Sequence, residues 1–392
     1  MEILHLTNKP IYPAVDGGCK AMAQMLNCII DCGCAIDHVA LSTEKHPFNE
    51  VNYPEEIRQK ISLKTVSIDT KVKPIDAFKS LLTGKSYNIS RFDNLHAHEE
   101  LKTMLHSKRY DLVFLESLYC TPYIHTIRSH SKAKIILRTH NVEHSLWEQL
   151  GKSLKPGLKK WYLKKLANQL KQFENNIVKK VDKIFSISQE DTKYFKKRVD
   201  SSKVCTVPVS IDQNQRKVDD NVNRIFFVGS MNWQPNIDAA NFLVHSIFPK
   251  IRSILPDVEL HIAGSYMNNL FPSNADSGVF NHGFVEDLNS FMCSNGIMVA
   301  PIRSSSGVRI KMLEAMSLGI PIVTFPEGAL GIEATHGLCI VTNESQMMDT
   351  VIGLIQDVKS RRTLGEQAWN FVGEHYTRKQ IVKQIRDEFK SI

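Results

Sequence analysis

The chain alternates short runs of apolar residues with segments of helical pattern. The apolar runs are, in chain order, EILHLT, DHVALS, DLVFLES, KIILRTH and KIFSIS in the first half, and RIFFVGS, VELHIAG, GIMVAPI and IPIVTF in the second. Continuous apolar runs separated by helices are typical of a parallel sheet that is covered on both faces. The pattern therefore predicts an α/β protein made of two doubly wound, Rossmann-like units.

A polar stretch separates the two sets of runs. Residues Ser210 to Asn223 show no apolar periodicity, as expected of a linker. The chain has 392 residues with 42% hydrophobic content, which is too long for one ordinary domain. We therefore expect an N-terminal domain at residues 1–210 and a C-terminal domain at residues 211–375.

Composition excludes several protein classes. No run approaches the roughly 18 apolar residues of a transmembrane helix. The start, MEILHLT, lacks the basic and long apolar regions of a signal peptide, so a cytoplasmic protein is expected. The eight cysteines stand at irregular positions, which favours reduced thiols. Cys28, Cys32 and Cys34 lie close together, but a metal site would need a fourth ligand and only His38 is near, so buried thiols are favoured.

Polar residues and glycines follow several of the predicted strands. Ligands of doubly wound sheets bind at the carboxyl ends of the strands, so binding and catalytic residues are expected in these loops. Gly17 and Gly18 precede a helix, where paired glycines let the backbone approach an anion, although a tight loop would need glycine as well. The other loops carry His140, Asn141 and Glu143 after KIILRT, for which a structural cap is the alternative, and Gly229 and Ser230 after RIFFV.

The stretch APIRSSSGVRIKMLEAMSLG contains charged residues whose positions need an explanation. It predicts a strand, a loop and a helix that Gly319 ends. Arg309 and Lys311 stand at the start of the helix, where cations oppose the helix dipole and a phosphate would suit them. Glu314 lies among apolar residues and can accept hydrogen bonds from two neighbouring hydroxyls, as on a ribose. The alternative is a surface ion pair between Lys311 and Glu314.

Taken together, these segments resemble a known family. The region GFVEDL...VAPIRSSSGVRIKMLEAMSLGIPIVTF resembles the donor-binding part of GT-B glycosyltransferases of family 4, the glycosyl transferases group 1 type. DGG, RTHNVEH, SISQED, VPVSID and FVGSMNWQPNIDAANF match it in the same order. The resemblance implies two Rossmann-like domains facing a central cleft, with the nucleotide sugar on the C-terminal domain and the acceptor facing the N-terminal one. The final helices, from about Tyr376, would cross back to the first domain.

Some donor-binding positions of the family are matched in this sequence and others are not. Glu314 matches the acid that binds the ribose hydroxyls, whereas Ser306 stands where the family's first acid binds the donor sugar. Ser230 and Asn236 occupy the places of a frequent Arg and Lys. Arg309 and Lys311 are therefore expected to bind the diphosphate and to act in catalysis.

The resemblance also assigns the remaining residues by motif. His140 matches the catalytic histidine near the transferred sugar, and Glu286 and the backbone near Phe284 match the loop that contacts the base. Further donor contacts are expected from Gly17, Gly18, Gly229, Ser230, Ser306, Gly307 and Val308. Residues on the acceptor or sugar side are Asn141, Glu143, Gly328, Ala329 and Leu330.

The expected reaction is transfer of a hexosyl or N-acetylhexosaminyl group to a glycan or lipid-linked acceptor in cell-surface polysaccharide or glycoconjugate biosynthesis. By resemblance it retains anomeric configuration. No Asp-x-Asp pair occurs in the chain, so metal-independent transfer is expected, and neither a metal nor another cofactor is predicted. A nucleotide-sugar epimerase and a non-catalytic nucleotide-sugar binder are the alternatives.

Residues 152–180 form a strongly basic segment with interleaved apolar residues. A basic amphipathic helix can lie on an anionic membrane surface, where lipid-linked acceptors reside, so peripheral association with the inner face of the membrane is a hypothesis. The alternative is the solvated face of a packed helix. Nucleic acid is not expected as a partner, because no binding motif accompanies the net charge of +8.

Overall fold

The computed structural model describes residues 1–152, 154–213, 223–267, 270–304, 307–332 and 337–392. The chain forms two compact units, each built around one parallel sheet. The first unit contains Met1–Ser210 and Ile381–Ile392, and the second contains Ile211–Gln380. The prediction of two doubly wound units is confirmed.

The first unit has a seven-stranded sheet in the order β3-β2-β1-β4-β5-β6-β7. Its strands are β1 (Glu2–Thr7), β2 (Ala35–Ser42), β3 (Ile61–Ser67), β4 (Leu112–Glu116), β5 (Lys134–Thr139), β6 (Lys183–Ser186) and β7 (Val204–Thr206). The strand order reverses between β1 and β4, so the loops after these two strands diverge and leave a crevice.

Helices cover both faces of this sheet. They are α1 (Gly17–Asp31), α2 (Glu55–Arg58), α3 (Pro74–Thr83), α4 (Tyr87–Ser90), α5 (Leu95–Ser107), α6 (Ile124–His130), α7 (Glu143–Lys152), α8 (Leu158–Ile177), α9 (Gln189–Lys196) and α16 (Arg378–Lys390). Helix α16 packs against the sheet because Ile385 and Phe389 join the core around Phe114 and Phe185. The chain thus returns to its first unit at its C-terminal end.

The second unit has a six-stranded sheet in the order β10-β9-β8-β11-β12-β13. Its strands are β8 (Arg224–Val228), β9 (Glu259–Ala263), β10 (Val279–Asn281), β11 (Ile297–Ala300), β12 (Ile322–Thr324) and β13 (Leu338–Ile340). Its helices are α10 (Gln234–Phe242), α11 (Phe248–Ile254), α12 (Leu288–Cys293), α13 (Ile310–Ser317), α14 (Glu344–Gln356) and α15 (Val358–His375). The strand order reverses between β8 and β11, which places the second crevice there.

All nine predicted runs form strands, and the structure adds four more. Strand β3 lies at a sheet edge and alternates partly buried and exposed positions, so its sequence lacks a continuous apolar run. Strands β7, β10 and β13 have three residues each, too short for a pattern to stand out. Residues 214–222 of the predicted linker lie outside the described residues.

The clustered thiols sit at the end of α1. Cys28 is buried within the helix, and the thiol of Cys32 donates to the carbonyl of Val382 at 3.7 Å. All eight cysteines are free. Within the described ranges, no group of three or more His, Cys, Asp or Glu side chains is arranged to hold a metal ion.

None of the described helices has both the length and the apolar character that a membrane span requires.

Candidate functional site

In the first unit, charged groups meet where β1, β4 and β5 end. The strand register sets Thr7 beside Glu116, and Glu116 beside Arg138. Both charged side chains are fully buried. Arg138 Nη1 lies 3.3 Å from each carboxylate oxygen of Glu116 and donates to the carbonyl of Ala21 at 3.0 Å. The sheet therefore holds a buried ion pair next to its crevice.

His140 is the member of this cluster that reaches solvent. Its Nε2 lies 2.8 Å from Glu116 Oε2, and its side chain is 14% exposed. Although burial opposes ionisation of Glu116, Arg138, His140 and His5 hold the pKa of this carboxyl well below its usual range. An ionised carboxylate only accepts hydrogen bonds, so His140 Nε2 carries the proton. In the neutral ring, Nδ1 is then left as an acceptor.

Two further histidines extend this cluster through the sheet. His5 Nε2 lies 3.6 Å from Glu116 Oε1, and His5 Nδ1 lies 2.9 Å from Nδ1 of His38. His38 Nε2 lies 3.2 Å from the hydroxyl of Tyr53. Burial, followed by the neighbouring His5, lowers the pKa of His38 well below its ordinary value, which keeps this ring neutral. Sequence reasoning assigned no role to His5 or Tyr53 and considered His38 only as a possible metal ligand, although polar side chains inside apolar runs were an available signal.

The paired glycines begin α1, as their pattern predicted. Asp16 is the N-cap residue and accepts from the Cys19 amide at 2.7 Å, while Lys9 donates to Asp16 at 2.6 Å. A Cβ on Gly18 would lie 3.3 Å from Asp16 Oδ1 and 3.5 Å from Lys9 Nζ, so a side chain there would crowd this pair. Lys9 is a cation beside the glycine turn that the sequence analysis did not single out.

In the RTHNVEH loop, Glu143 lies deeper than His140. Asn141 is half-buried, and Glu143 opens α7 at 8% exposure, where its carboxylate accepts from the Tyr119 hydroxyl at 3.1 Å. Burial, with the nearby charge of Glu174, raises the pKa of Glu143 to about 7. Its backbone amide donates to Glu174, which also bonds His144 at 2.5 Å. The buried carboxylate of Glu174 thus links the start of α7 to His144.

In the second unit, the ends of β8 and β9 approach closely. A Cβ on Gly264 would lie 1.8 Å from the carbonyl oxygen of Gly229, so glycine is required there. The hydroxyls of Ser230 and Ser265 are 2.7 Å apart, and the amide of Asn236 donates to the Ser230 carbonyl at 3.0 Å. Ser230 and Asn236 thus shape a narrow polar edge at the crevice.

The loop after β11 brings Arg309 to the same edge. Helix α13 begins at Ile310, with Arg309 as its N-cap residue, so the helix starts slightly later than the sequence predicted. Burial lowers the pKa of Arg309 to about 10, and its Nε is buried without a hydrogen-bond partner. Its only described contact is a weak one from Nη2 to the carbonyl of Ser304 at 3.4 Å. No acid pairs with Arg309 among the residues that the structure describes.

The remaining residues of this segment that were predicted to bind the donor lie along the same loop and helix. Gly307 has φ of +72°, which favours glycine, and Val308 is half-buried. Lys311 and Glu314 are half-buried on α13, and Glu314 Oε2 has no contact with solvent. Ser306 lies outside the described residues.

Two further loops complete the predicted set. Phe284 is 72% exposed in the loop after β10, and Glu286 is exposed beside it. After β12, a Cβ on Gly328 would lie 2.1 Å from the Thr324 hydroxyl, so this turn needs glycine. Ala329 and Leu330 follow, with Ala329 buried and Leu330 exposed.

The sequence comparisons match this second unit to a family. Residues 222–357 match the family described as glycosyl transferases group 1. A Klebsiella pneumoniae protein, described as an uncharacterized 44.6 kDa protein in the cps region, is 23% identical over 304 residues, covering 74% of this chain and 77% of that protein. The residues that match the family model therefore lie within the second unit.

Solved structures match the whole chain. Anabaena HepE, in complex with UDP and glucose, is 12% identical with a TM-score of 0.65 and full coverage of both chains. Sucrose-phosphate synthase from Thermosynechococcus elongatus is 13% identical with a TM-score of 0.72, covering 100% of this chain and 99% of that one. At such identities the likeness establishes the fold alone, and this fold is GT-B.

Proposed function

We propose that this protein is a glycosyltransferase that moves a sugar from a nucleotide-diphosphate sugar to a glycan or lipid-linked acceptor. Arg309 carries the proposal, because it is a half-buried cation whose Nε is shielded from solvent without a hydrogen-bond partner, and it has no acidic partner in the described part of the chain. Burying such a charge is costly unless another charge compensates it. A diphosphate supplies that charge, and the group 1 match covers the segment that holds Arg309.

Glu314 would bind the ribose of the same nucleotide. It lies on α13, the helix that Arg309 begins, and its carboxylate can accept hydrogen bonds from both ribose hydroxyls. Phe284 and Glu286 would contact the base, and the edge formed by Gly229 and Ser230 would lie along the phosphates. These assignments extend the resemblance onto residues of the second unit.

The chemical step would be driven by stabilisation of the leaving group. As the bond between the anomeric carbon and the diphosphate oxygen breaks, negative charge grows on the diphosphate, and fixed donors aimed at that charge are usually the largest catalytic contribution. Arg309, Lys311 and the N-terminus of α13 would be those donors. We therefore propose transfer that needs no divalent cation and that retains anomeric configuration.

His140 would hold the transferred sugar, and Glu116 would hold His140. The 2.8 Å contact leaves Nδ1 of a neutral His140 as an acceptor for a sugar hydroxyl. Glu116 is itself fixed by Arg138, so it acts as a positioning residue for the ring. Lys9 and Gly18 would border the sugar or the diphosphate from the turn before α1, and Gly328 to Leu330 would face the sugar.

The acceptor would belong to surface polysaccharide or glycoconjugate synthesis. The Klebsiella pneumoniae relative lies in a cps region, which supports this setting for the present chain. We propose a hexosyl or N-acetylhexosaminyl donor, because such sugars suit this setting.

The basic segment would place the enzyme near lipid-linked acceptors. Residues 152–180 comprise the end of α7, all of α8 and a short 3₁₀ segment rather than one helix. Leu166 and Leu170 face the protein interior, whereas Trp161 is 59% exposed. The lysines of α8 would therefore act through charge on a membrane surface, at the cytoplasmic face.

The test is a thermal-shift screen with UDP, GDP, ADP and their sugars, followed by transfer assays with the stabilising donor. We expect one nucleotide series to stabilise the protein and a sugar from it to reach a glycan or lipid-linked acceptor. Conversion of the donor without an acceptor would identify an epimerase or hydrolase instead. Binding without turnover across a broad acceptor panel would identify a non-catalytic binder.

A further inference from the structure

Helix α3 exposes an apolar stripe that the sequence analysis did not single out. Ile75, Phe78 and Leu82 are 71%, 63% and 74% exposed, and Val72 just before the helix is 66% exposed. Their spacing of three to four residues places the helical members on one face. Exposed apolar side chains grouped in this way mark an interaction surface more often than scattered ones do.

The fold itself does not use this stripe. Helix α3 packs on the unit through another face, where buried Ala77 contacts the small cluster of Tyr87 and Leu166. The side-chain amide of Gln169 on α8 donates to the carbonyl of Ser80 at 2.8 Å. The helix is therefore held in place while Ile75, Phe78 and Leu82 point away from the core.

A basic pocket adjoins the stripe. It has a volume of about 480 Å³ and is lined by five cations and three acids, namely Lys71, Lys73, Lys79, Lys85 and Arg91 against Asp69, Asp76 and Asp93. Lys71 pairs with Glu44 and Lys73 with Asp69. Within the described ranges, no carboxylate pairs with Lys79, Lys85 or Arg91. The pocket thus keeps positive charge available to an anion.

We propose that α3 docks this protein on an anionic lipid bilayer, with the stripe in the acyl boundary and the basic pocket on lipid phosphates. An apolar face bordered by lysines is the arrangement that binds such interfaces, because apolar burial and charge attraction add. Tyr162 and Leu163 of α8 pack on the cluster beneath α3, so the basic start of α8 lies beside it. A symmetric dimer through this stripe would instead bring the lysines of both copies together.

This inference deepens the proposed use of a lipid-linked acceptor, but it is tested without turnover. Sedimentation is measured with vesicles of phosphatidylcholine alone and of an equimolar mixture with phosphatidylglycerol. The test variant carries Ile75→Ser, Phe78→Ser and Leu82→Ser. The matched control carries Val51→Ser, Ile254→Ser and Ile340→Ser, which are also exposed positions. Circular dichroism checks that both stay folded.

We expect the wild type and the control to bind the anionic vesicles and not to bind the neutral ones. The triple α3 variant should lose binding at least about tenfold, since it removes three inserted side chains. Lys79→Glu with Lys85→Glu should also weaken binding, whereas Lys359→Glu with Lys379→Glu should not. Equal sedimentation of the α3 variant and the wild type would overturn the proposal.

Sedimentation velocity tests the alternative, in which a second copy of this chain binds the stripe. A wild type that dimerises and an α3 variant that stays monomeric, with no vesicle binding by either, would assign the stripe to self-association and would also overturn the proposal. Since no donor or acceptor is present, failure of the transferase proposal would leave both readouts unchanged.

Discussion

His140 Nε2 lies 2.8 Å from Oε2 of Glu116, a fully buried carboxylate that Arg138 also contacts. Glu116 ends β4 and His140 directly follows the neighbouring strand β5, and the parallel register brings these strand ends together. A partly exposed ring fixed by a buried acid has a defined tautomer and orientation. This relationship makes Glu116 testable as the residue that positions His140.

Replacement of Glu116 by Gln should lower kcat far more than it changes KM for the donor. An amide can donate as well as accept, so the ring loses its fixed orientation, and a misplaced group can cost about 100-fold. Steady-state kinetics over a range of pH would measure the effect, with Glu100→Gln as a surface control. A Glu116→Gln enzyme with the wild-type kcat and pH profile would remove Glu116 from the mechanism.

The buried acid Glu143 should make stability depend on pH. Its pKa is raised to about 7, against about 4.3 in an unfolded chain, so the folded state holds a proton that the unfolded state has lost in this window. The free energy of unfolding should therefore fall as pH rises from about 4 to 7. Asp191, whose pKa burial raises to about 6, adds in the same direction.

Glu143→Gln should remove part of this dependence. The variant should gain up to about 3 kcal/mol over the wild type at alkaline pH, because it no longer ionises a buried group. Urea denaturation at about pH 5 and about pH 8 measures the difference. Glu148→Gln, on the same helix, is the control. An unchanged pH dependence in Glu143→Gln would show that this acid stays ionised in the folded protein.

Transfer should survive chelation of divalent cations. Arg309, Lys311 and the start of α13 supply the positive field at the leaving group, so excess EDTA should leave most activity intact. Arg309→Gln should lower kcat by about 100- to 1,000-fold. Lys250→Gln, which alters a surface pair with Glu344, should not. Activity that EDTA abolishes and magnesium or manganese restores would contradict this account.

The serine at position 306 should leave the donor sugar loosely held. A carboxylate there would accept two strong hydrogen bonds from sugar hydroxyls, whereas a serine offers one neutral contact. We expect the nucleotide diphosphate to bind about as tightly as the nucleotide sugar. A nucleotide sugar that binds more than about 100-fold tighter, or about 2.7 kcal/mol, would mean that another residue replaces the missing acid.

The sequence pointed to residues at the strand ends but not to the partners that hold them. Continuous apolar runs located the strands, and the rule that ligands bind at strand ends led to His140, Arg309 and Glu314. Glu116 was not predicted, because in the sequence it is only the polar end of the run DLVFLES. Its partners depend on which strands pair. Residues far apart in sequence, such as His5 and Glu116, become neighbours only through the sheet order.

The surface was harder to predict than the core. The pattern of Lys71 to Lys85 resembles an ordinary amphipathic helix whose apolar residues face inward. In the structure Ala77 and Ser80 take the inner face, and the larger apolar residues are exposed. Periodicity gives a helix its two faces but does not say which neighbour, if any, covers the apolar one.

Calorimetric titration of wild type and Glu314→Ala with UDP, GDP and ADP tests the central claim most directly. We predict that one nucleotide binds the wild type, and that Glu314→Ala loses this binding while circular dichroism shows it folded, because Glu314 serves the ribose. Glu344→Ala, a change at a partly exposed acid of α14 that pairs with Lys250, should bind as the wild type does. Nucleotide affinity that survives in Glu314→Ala, or a wild type that binds none of the three nucleotides, would contradict the account.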